Sequence, residues 1–247
     1  MPRALLAALT LAVAGCARPS VPAIVRDEPA APAPAPAPDA AATRPLTLAD
    51  LPAVSTDGQK VAIAAKVSDG ARGADNLALL IVDAATDRVV TRVVIVDPSE
   101  PQRSGRDQRE AEALRWLASE RWESLAPLAL RADPAAPLRT PAMGPAVRAP
   151  LAEAAALAAT YREPVLSVRS GDRDAVIREV RSWSAAAPAI SGTIHCAPPL
   201  AQMAAAHASA ALGVIVVKVE YIGGTDLCWE PPETWHVAKF PAGGIAR

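Results

Sequence analysis

The stretch Lys60-Val61-Ala62-Ile63-Ala64-Ala65-Lys66-Val67 decides the fold. Val61, Ile63, Ala65 and Val67 fall on one side of it, and a period of two marks a half-buried strand rather than a helix. The next apolar run, Leu77 to Val82, ends at Asp83, and Ala84 to Asp87 supplies a turn. Arg88 to Val96 follows as a third run rich in β-branched residues, stopped by Asp97-Pro98. Three such runs on short links predict an antiparallel meander. Between the first two lies Asp69-Gly70-Ala71-Arg72-Gly73-Ala74-Asp75-Asn76. Its carboxylates suit calcium in type, but the spacing lacks a closing bidentate Glu, so it reads as a solvated turn.

The opening Ser55-Thr56-Asp57-Gly58-Gln59-Lys60-Val61-Ala62, with the two runs after it, resembles one blade of the WD40-like propellers related to the Tol-Pal translocation protein TolB. The resemblance covers about forty residues. It implies the meander and no activity, and the Ser-x-Asp-Gly opening does not recur at a fixed period.

Further along, Asp107 to Leu125 has Leu114, Leu117, Ala118, Trp122 and Leu125 at helical spacing, with Asp107 and Glu110 placed as a cap. Residues 132–150 hold five prolines and read as an irregular crossing. Leu151 to Thr160 is alanine-rich and reads as a helix. Glu163 to Arg169 and Ala175 to Trp183 form a hairpin around Ser170-Gly171-Asp172-Arg173. Pro198-Pro199 starts a further helix through Ala211, with Gly213 to end it. Val214 to Ile222 is almost continuously apolar and predicts a central strand, paired with Trp235 to Phe240. The predicted class is therefore α+β: mainly antiparallel meanders and hairpins with two or three covering helices.

The N-terminus carries an address. Arg3, the apolar run Ala4 to Val13 and Val13-Ala14-Gly15-Cys16 make a removable export signal, too short to span a bilayer that needs about 20 apolar residues. The ending resembles the lipobox of bacterial lipoproteins. That resemblance implies cleavage before Cys16, lipid on its thiol, and, with Ala17 and Arg18 following, an outer-membrane location. Pro29 to Pro38 alternates proline with alanine and suits an extended tether. The chain thus divides into a signal peptide (1–15), a lipid-anchored disordered linker (16–45), a meander plus helix (46–131), a Pro-rich connection (132–150) and a C-terminal α+β half (151–247).

Apolar residues make up 51% of the chain but aromatics only 3%, so Leu, Val, Ile and five tryptophans must build the core. Lys and Arg number 25 against 26 Asp and Glu, without a basic cluster, which argues against nucleic acid as a partner. With Cys16 acylated, Cys196 and Cys228 remain as a pair, and an oxidising envelope favours their disulfide.

No catalytic set stands out. There is no Gly-x-Ser-x-Gly elbow and no Ser-x-x-Lys pair, and His195 beside Cys196 diverges from it. His195, Cys196, Cys228 and His236 lack paired zinc-ligand spacing, so no metal or other cofactor is expected. His207, in the alanine-rich segment read as a helix, reads as a surface or packing histidine. The long connection Gly223 to Glu233 is the candidate binding loop, with Asp226, Trp229 and Glu230 inside it and Trp235 and His236 just beyond. Two functions follow as expectations. One is a non-catalytic binding or structural module tethered to the outer membrane, whose partner is an envelope protein or glycan. The other is an envelope hydrolase using Asp226, Glu230 and His236.

Overall fold

A 3-10 turn at Leu48–Asp50 leads into β1 (Ala53–Ser55), β2 (Lys60–Ala65), β3 (Leu77–Asp83) and β4 (Arg88–Val96). The computed structural model describes residues 45–66, 76–97, 105–141, 144–154, 157–171, 173–180, 200–222 and 233–242. The four strands are antiparallel neighbours in the order β4-β3-β2-β1. The chemistry of the β1–β2 turn accounts for the Ser-x-Asp-Gly opening. Ser55 Oγ donates to Asp57 Oδ1 at 2.6 Å and accepts from Lys60 N at 2.9 Å, while Asp57 Oδ1 accepts from Gln59 N at 2.9 Å. Gly58 completes the turn at φ +69°.

The expectation of two or three covering helices is overturned. Among the described residues there is one α-helix, α1 (Arg106–Ala118), and the rest of the regular structure is almost all antiparallel strand. Even α1 is shorter than its apolar spacing suggests. It starts from Gly105 at φ +80° with no side-chain cap, and Trp122 leaves it to donate its indole N–H to Leu117 O at 2.8 Å. Trp122–Ser124 is instead β5, paired with β1.

The two alanine-rich segments read as helices are strands. Pro150–Ala154 and Leu157–Arg162 form a hairpin, β10 and β11, and Leu200–Ser209 is β14. Alanine's helix preference over an average residue is only about 0.5 kcal/mol, and tertiary burial exceeds it. Ala152, Ala159, Ala201, Ala206 and Ala208 are all buried where sheets meet. Gly213 accordingly sits in the turn after β14 rather than at a helix end. Within the predicted irregular crossing, β8 (Leu138–Arg139) and β9 (Val147–Arg148) make a small ladder.

The strands form three stacked sheets. The first is β4-β3-β2-β1-β5. The third combines β7 (Ala129–Ala132), β10, β11, β12 (Val165–Ser170) and β13 (Arg173–Glu179), in the order β13-β12-β11-β10-β7. Between them lies β16-β15-β14-β6, made from β15 (Val214–Ile222), β16 (Thr234–Lys239) and β6 (Ala126–Pro127). Val214, Val216 and Val237 of this central sheet pack on Val54, Val61, Ile63 and Val82 of the first. Ile215, Val217 and Val219 face the other way, onto Ala159, Leu166 and Val168 of the third. Burial on both faces is why β15 is apolar without alternation. β2 is also buried twice, because its other side, at Ala62, lies with Leu79 and Ile81 under Ala113 and Leu117 of α1. Val67, expected on the inner face, lies outside the described residues.

One extended segment, Trp122–Ala132, crosses all three sheets as β5, β6 and β7. Its two unpaired positions are anchors. Leu125 fills the first interface and donates its N–H to Pro52 O at 3.1 Å; Leu128 fills the second and donates to Ala206 O at 2.8 Å.

Gly213 is the tightest point of the stack. It has φ +62°, its carbonyl accepts from Phe240 N at 2.7 Å, and a Cβ there would stand 2.2 Å from Phe240 O. Gly213→Ala should therefore cost at least about 3 kcal/mol, whereas Gly171→Ala, at φ +60° with nothing within 4 Å, should cost about 1–2 kcal/mol. Urea unfolding midpoints of the two variants check this, and equal losses would contradict it.

Candidate functional site

One enclosed polar group lies where the β3–β4 turn meets the other two sheets. Asp87 ends that turn at φ +60°. Its Oδ1 accepts from Val237 N of β16 at 2.6 Å, and its Oδ2 lies 3.4 Å from His236 Nδ1 and 3.5 Å from the Arg178 guanidinium of β13. Arg178 also donates to Thr86 O at 2.9 Å and to Val237 O at 3.2 Å. One carboxylate and one guanidinium thus tie together strands of all three sheets. The His236 ring stacks on Tyr161 of β11, with centroids 6.4 Å apart and planes 15° apart. The side chains of His236 and Asp87 are 6% and 9% exposed. His236 Nε2 has no hydrogen-bond partner among the described residues. The pair has the residue types of an acid–base dyad, but it is closed to a substrate by the strands it joins.

A second group forms at Glu233, 8% exposed. Its Oε1 accepts from Trp235 Nε1 and from Lys66 N, each at 2.9 Å, and its Oε2 lies 2.8 Å from Lys218 Nζ. Lys218 Nζ also lies 2.6 Å from Glu220 and 5.9 Å from the centre of the Trp235 ring. Burial opposes the Lys218 charge, but the hydrogen bonds and attraction of Glu220 and Glu233 outweigh it and raise its pKa. Glu233 thereby fastens the start of β16 to the end of β2.

Of the residues expected in a binding site, Trp235 and His236 are described, and the structure separates them. Successive strand side chains point to opposite faces. Trp235 packs toward the first sheet, while His236 stacks against the third. Asp226, Trp229, Glu230, Cys196, Cys228, His195 and Cys16 lie outside the described residues, as does the Asp69–Asp75 stretch of the candidate calcium turn. Asp87, Arg178 and Lys218 were not singled out in the sequence. A hint existed only for Asp87, since an acidic residue closing a turn tolerates positive φ.

No three-residue group of metal-binding side chains occurs among the described residues, and none of their helices is long and apolar enough to cross a membrane. Outside the two polar groups, Trp116 and Leu114 of α1 are exposed, and Trp116 lines a shallow open depression with Glu112, Arg115 and Ser119. No family model, curated protein or solved structure matches the chain.

Removing either function of Asp87 should be measurable. Asp87→Ala removes the carboxylate partner of Arg178 and the acceptor of the Val237 N–H and puts a less tolerant residue at positive φ, for a loss of about 2–4 kcal/mol. Asp87→Asn keeps an acceptor and tolerates the backbone, so its loss should be about half as large. Chemical denaturation of both variants gives the comparison, and an Asn variant as damaged as the Ala variant would contradict the role given to the backbone contact.

Acid should destabilise the fold in two stages. His207 on β14 has its pKa lowered by burial, and its Nδ1 has no partner among the described residues. Below 6.5 the unfolded chain gains a proton there that the folded chain refuses, so stability falls as pH drops from 6.5 toward the lowered value. His207→Gln should flatten this region. At lower pH the carboxylates of Asp57, held down by the Ser55 hydroxyl, Asp83, held down by Thr86, and Asp133, held down by Arg162, contribute stability above their usual value of 3.8 and lose it as they protonate. Thermal midpoints across pH report both stages.

Proposed function

We propose that this protein is a lipoprotein of the bacterial cell envelope, anchored at the outer membrane through Cys16 and acting as a non-catalytic binding or structural module. The observation that carries the non-catalytic part is the burial of His236, Asp87 and Glu233, none more than 9% exposed at the side chain, in contacts that join sheets. Groups of catalytic type are committed to architecture. The anchoring part rests on Val13-Ala14-Gly15-Cys16 and the Pro29–Pro38 tether. Two acyl chains, as a diacylglycerol on the Cys16 thiol would supply, hold a domain at a bilayer without a spanning helix.

The proposed partner is another envelope protein or a glycan, approached through the stretch containing Asp226, Trp229 and Glu230, with Cys196 and Cys228 as a disulfide.

Cross-linking in intact cells followed by purification of the full chain tests the reading. The parent protein should fractionate with the outer membrane and capture a stoichiometric envelope component. Cys16→Ala should leave the membrane fraction, and Trp229→Ala should lose capture with its thermal midpoint unchanged. Membrane retention of the Cys16→Ala form would overturn the anchor, and unaltered capture by Trp229→Ala would remove that stretch from the interface.

A further inference from the structure

β16 is the outer strand of the central sheet and has no strand on its far side among the described residues. A bare edge offers a row of backbone donors and acceptors to any strand that approaches, and the other sheets blunt theirs with bulges and charge. β4 shifts register twice against β3 and carries Arg88 and Arg92; β13 shifts once against β12 and carries Arg173, Asp174, Arg178 and Glu179. The opposite edges, β5, β6 and β7, are short pieces of one crossing segment. β16 has none of these features. It contains no proline, its only residue of fixed charge is Lys239 at the end, and its register with β15 runs unbroken from Thr234 opposite Val219 to Lys239 opposite Val214.

In an antiparallel strand the N–H and C=O of one residue point to the same side, and the side alternates along the chain. Phe240 N donates back to Gly213 O beside β15, so Lys239, Val237 and Trp235 turn their backbone groups outward. Val237 is the middle of that row, and side chains take both of its groups. Asp87 Oδ1 accepts from its N–H at 2.6 Å, and the Arg178 guanidinium donates to its carbonyl at 3.2 Å. These two side chains come from opposite outer sheets and are tied to each other across the edge, Arg178 lying 3.5 Å from Asp87 Oδ2 and donating to Thr86 O at 2.9 Å. Cohesion between sheets does not require both arms to end on the backbone of one edge residue; closure of the edge does. We infer that Asp87 and Arg178 form an edge guard, occupying the outward N–H and C=O of Val237 so that β16 accepts no further strand. Val237 is 0% exposed, so water reaches its released groups poorly, whereas an incoming strand satisfies both at one residue. In a solution of this protein the source of such a strand is a second copy.

Sedimentation of the purified full chain tests the inference. Asp87→Gly removes the carboxylate without straining the φ of +60°, and Arg178→Met removes the guanidinium while keeping an apolar stem. The double variant should self-associate about tenfold or more tightly than the parent, since two released backbone groups gain partners. Arg178→Met alone frees only the carbonyl; it should give a smaller increase, and it carries the test should the double variant not fold. Amide exchange at Val237 should be slow in the parent, faster in the dilute double variant, and slow again as that variant associates. Lys239→Pro, added to the double variant, removes a neighbouring outward N–H without touching the ladder to β15 and should return association to the parent's level. Leu79→Ala, beneath α1, weakens the core with the guard intact and should associate no more than the parent at a temperature where it is folded. A double variant no more associated than the parent, association that survives Lys239→Pro, or equal association by Leu79→Ala would each overturn the assignment.

Discussion

The structure depends on burying both faces of one strand. Val214, Val216 and Ile215, Val217, Val219 give β15 two apolar surfaces, and neither can be covered by fewer than one whole sheet. Burying a Val or Ile side chain stabilises by roughly 1.5–3 kcal/mol, so five of them on alternating faces provide a drive that no single-sheet arrangement could satisfy. The first and third sheets answer that demand from either side. α1 adds a further layer only over the first sheet, where Leu79, Ile81 and Ile95 would otherwise meet water.

A chain this poor in aromatics fills such interfaces with alanine. Ala152, Ala159, Ala201, Ala206 and Ala208 stand where the central and third sheets meet, and each admits close approach of the opposing backbone at the expense of buried area. Tyr161, Met203 and Leu166 supply the bulk between them. The same choice hid these strands. The meander was legible because Val61, Ile63 and the β-branched run Arg88–Val96 have a period and a propensity that agree. β15 was legible because only a doubly covered strand is so uniformly apolar. In β10, β11 and β14 many of the buried positions are alanine (Ala152, Ala159, Ala201, Ala206, Ala208) and further alanines, Ala158 and Ala205, stand beside them, so the period fades from view and intrinsic preference points to the wrong element. Pairing partners far along the chain decided those segments, and no local pattern reports them.

The polar groups were legible in kind but not in place. His236 and Trp235 drew notice as a neighbouring pair beside an acidic loop. On a strand, neighbours face apart, and each joined a different set of partners: Asp87 and Arg178 for one, Glu233 and Lys218 for the other. Asp87 lies 149 residues from His236 and came to it through the turn of another sheet. Separation of that order carries no trace in spacing. By contrast Ser55-Thr56-Asp57-Gly58, noticed in the sequence only as a motif, forms a turn whose hydrogen bonds all close within six residues.

The segment Trp122–Ala132 sets an order on biosynthesis. It lays one edge of the first sheet, then of the central sheet, then of the third, before the remaining strands of the latter two have left the ribosome. The third sheet is next to be completed, and the middle layer, β14 to β16, arrives last. For the interval between, two apolar sheet faces stand ready with a vacant slot between them and Leu125 and Leu128 already at its rim. The C-terminal fifth of the chain then acts as the keystone of an arch. Loss of those final residues by premature termination or proteolysis would leave both faces open at once, making the tail of this protein the part on which its solubility turns.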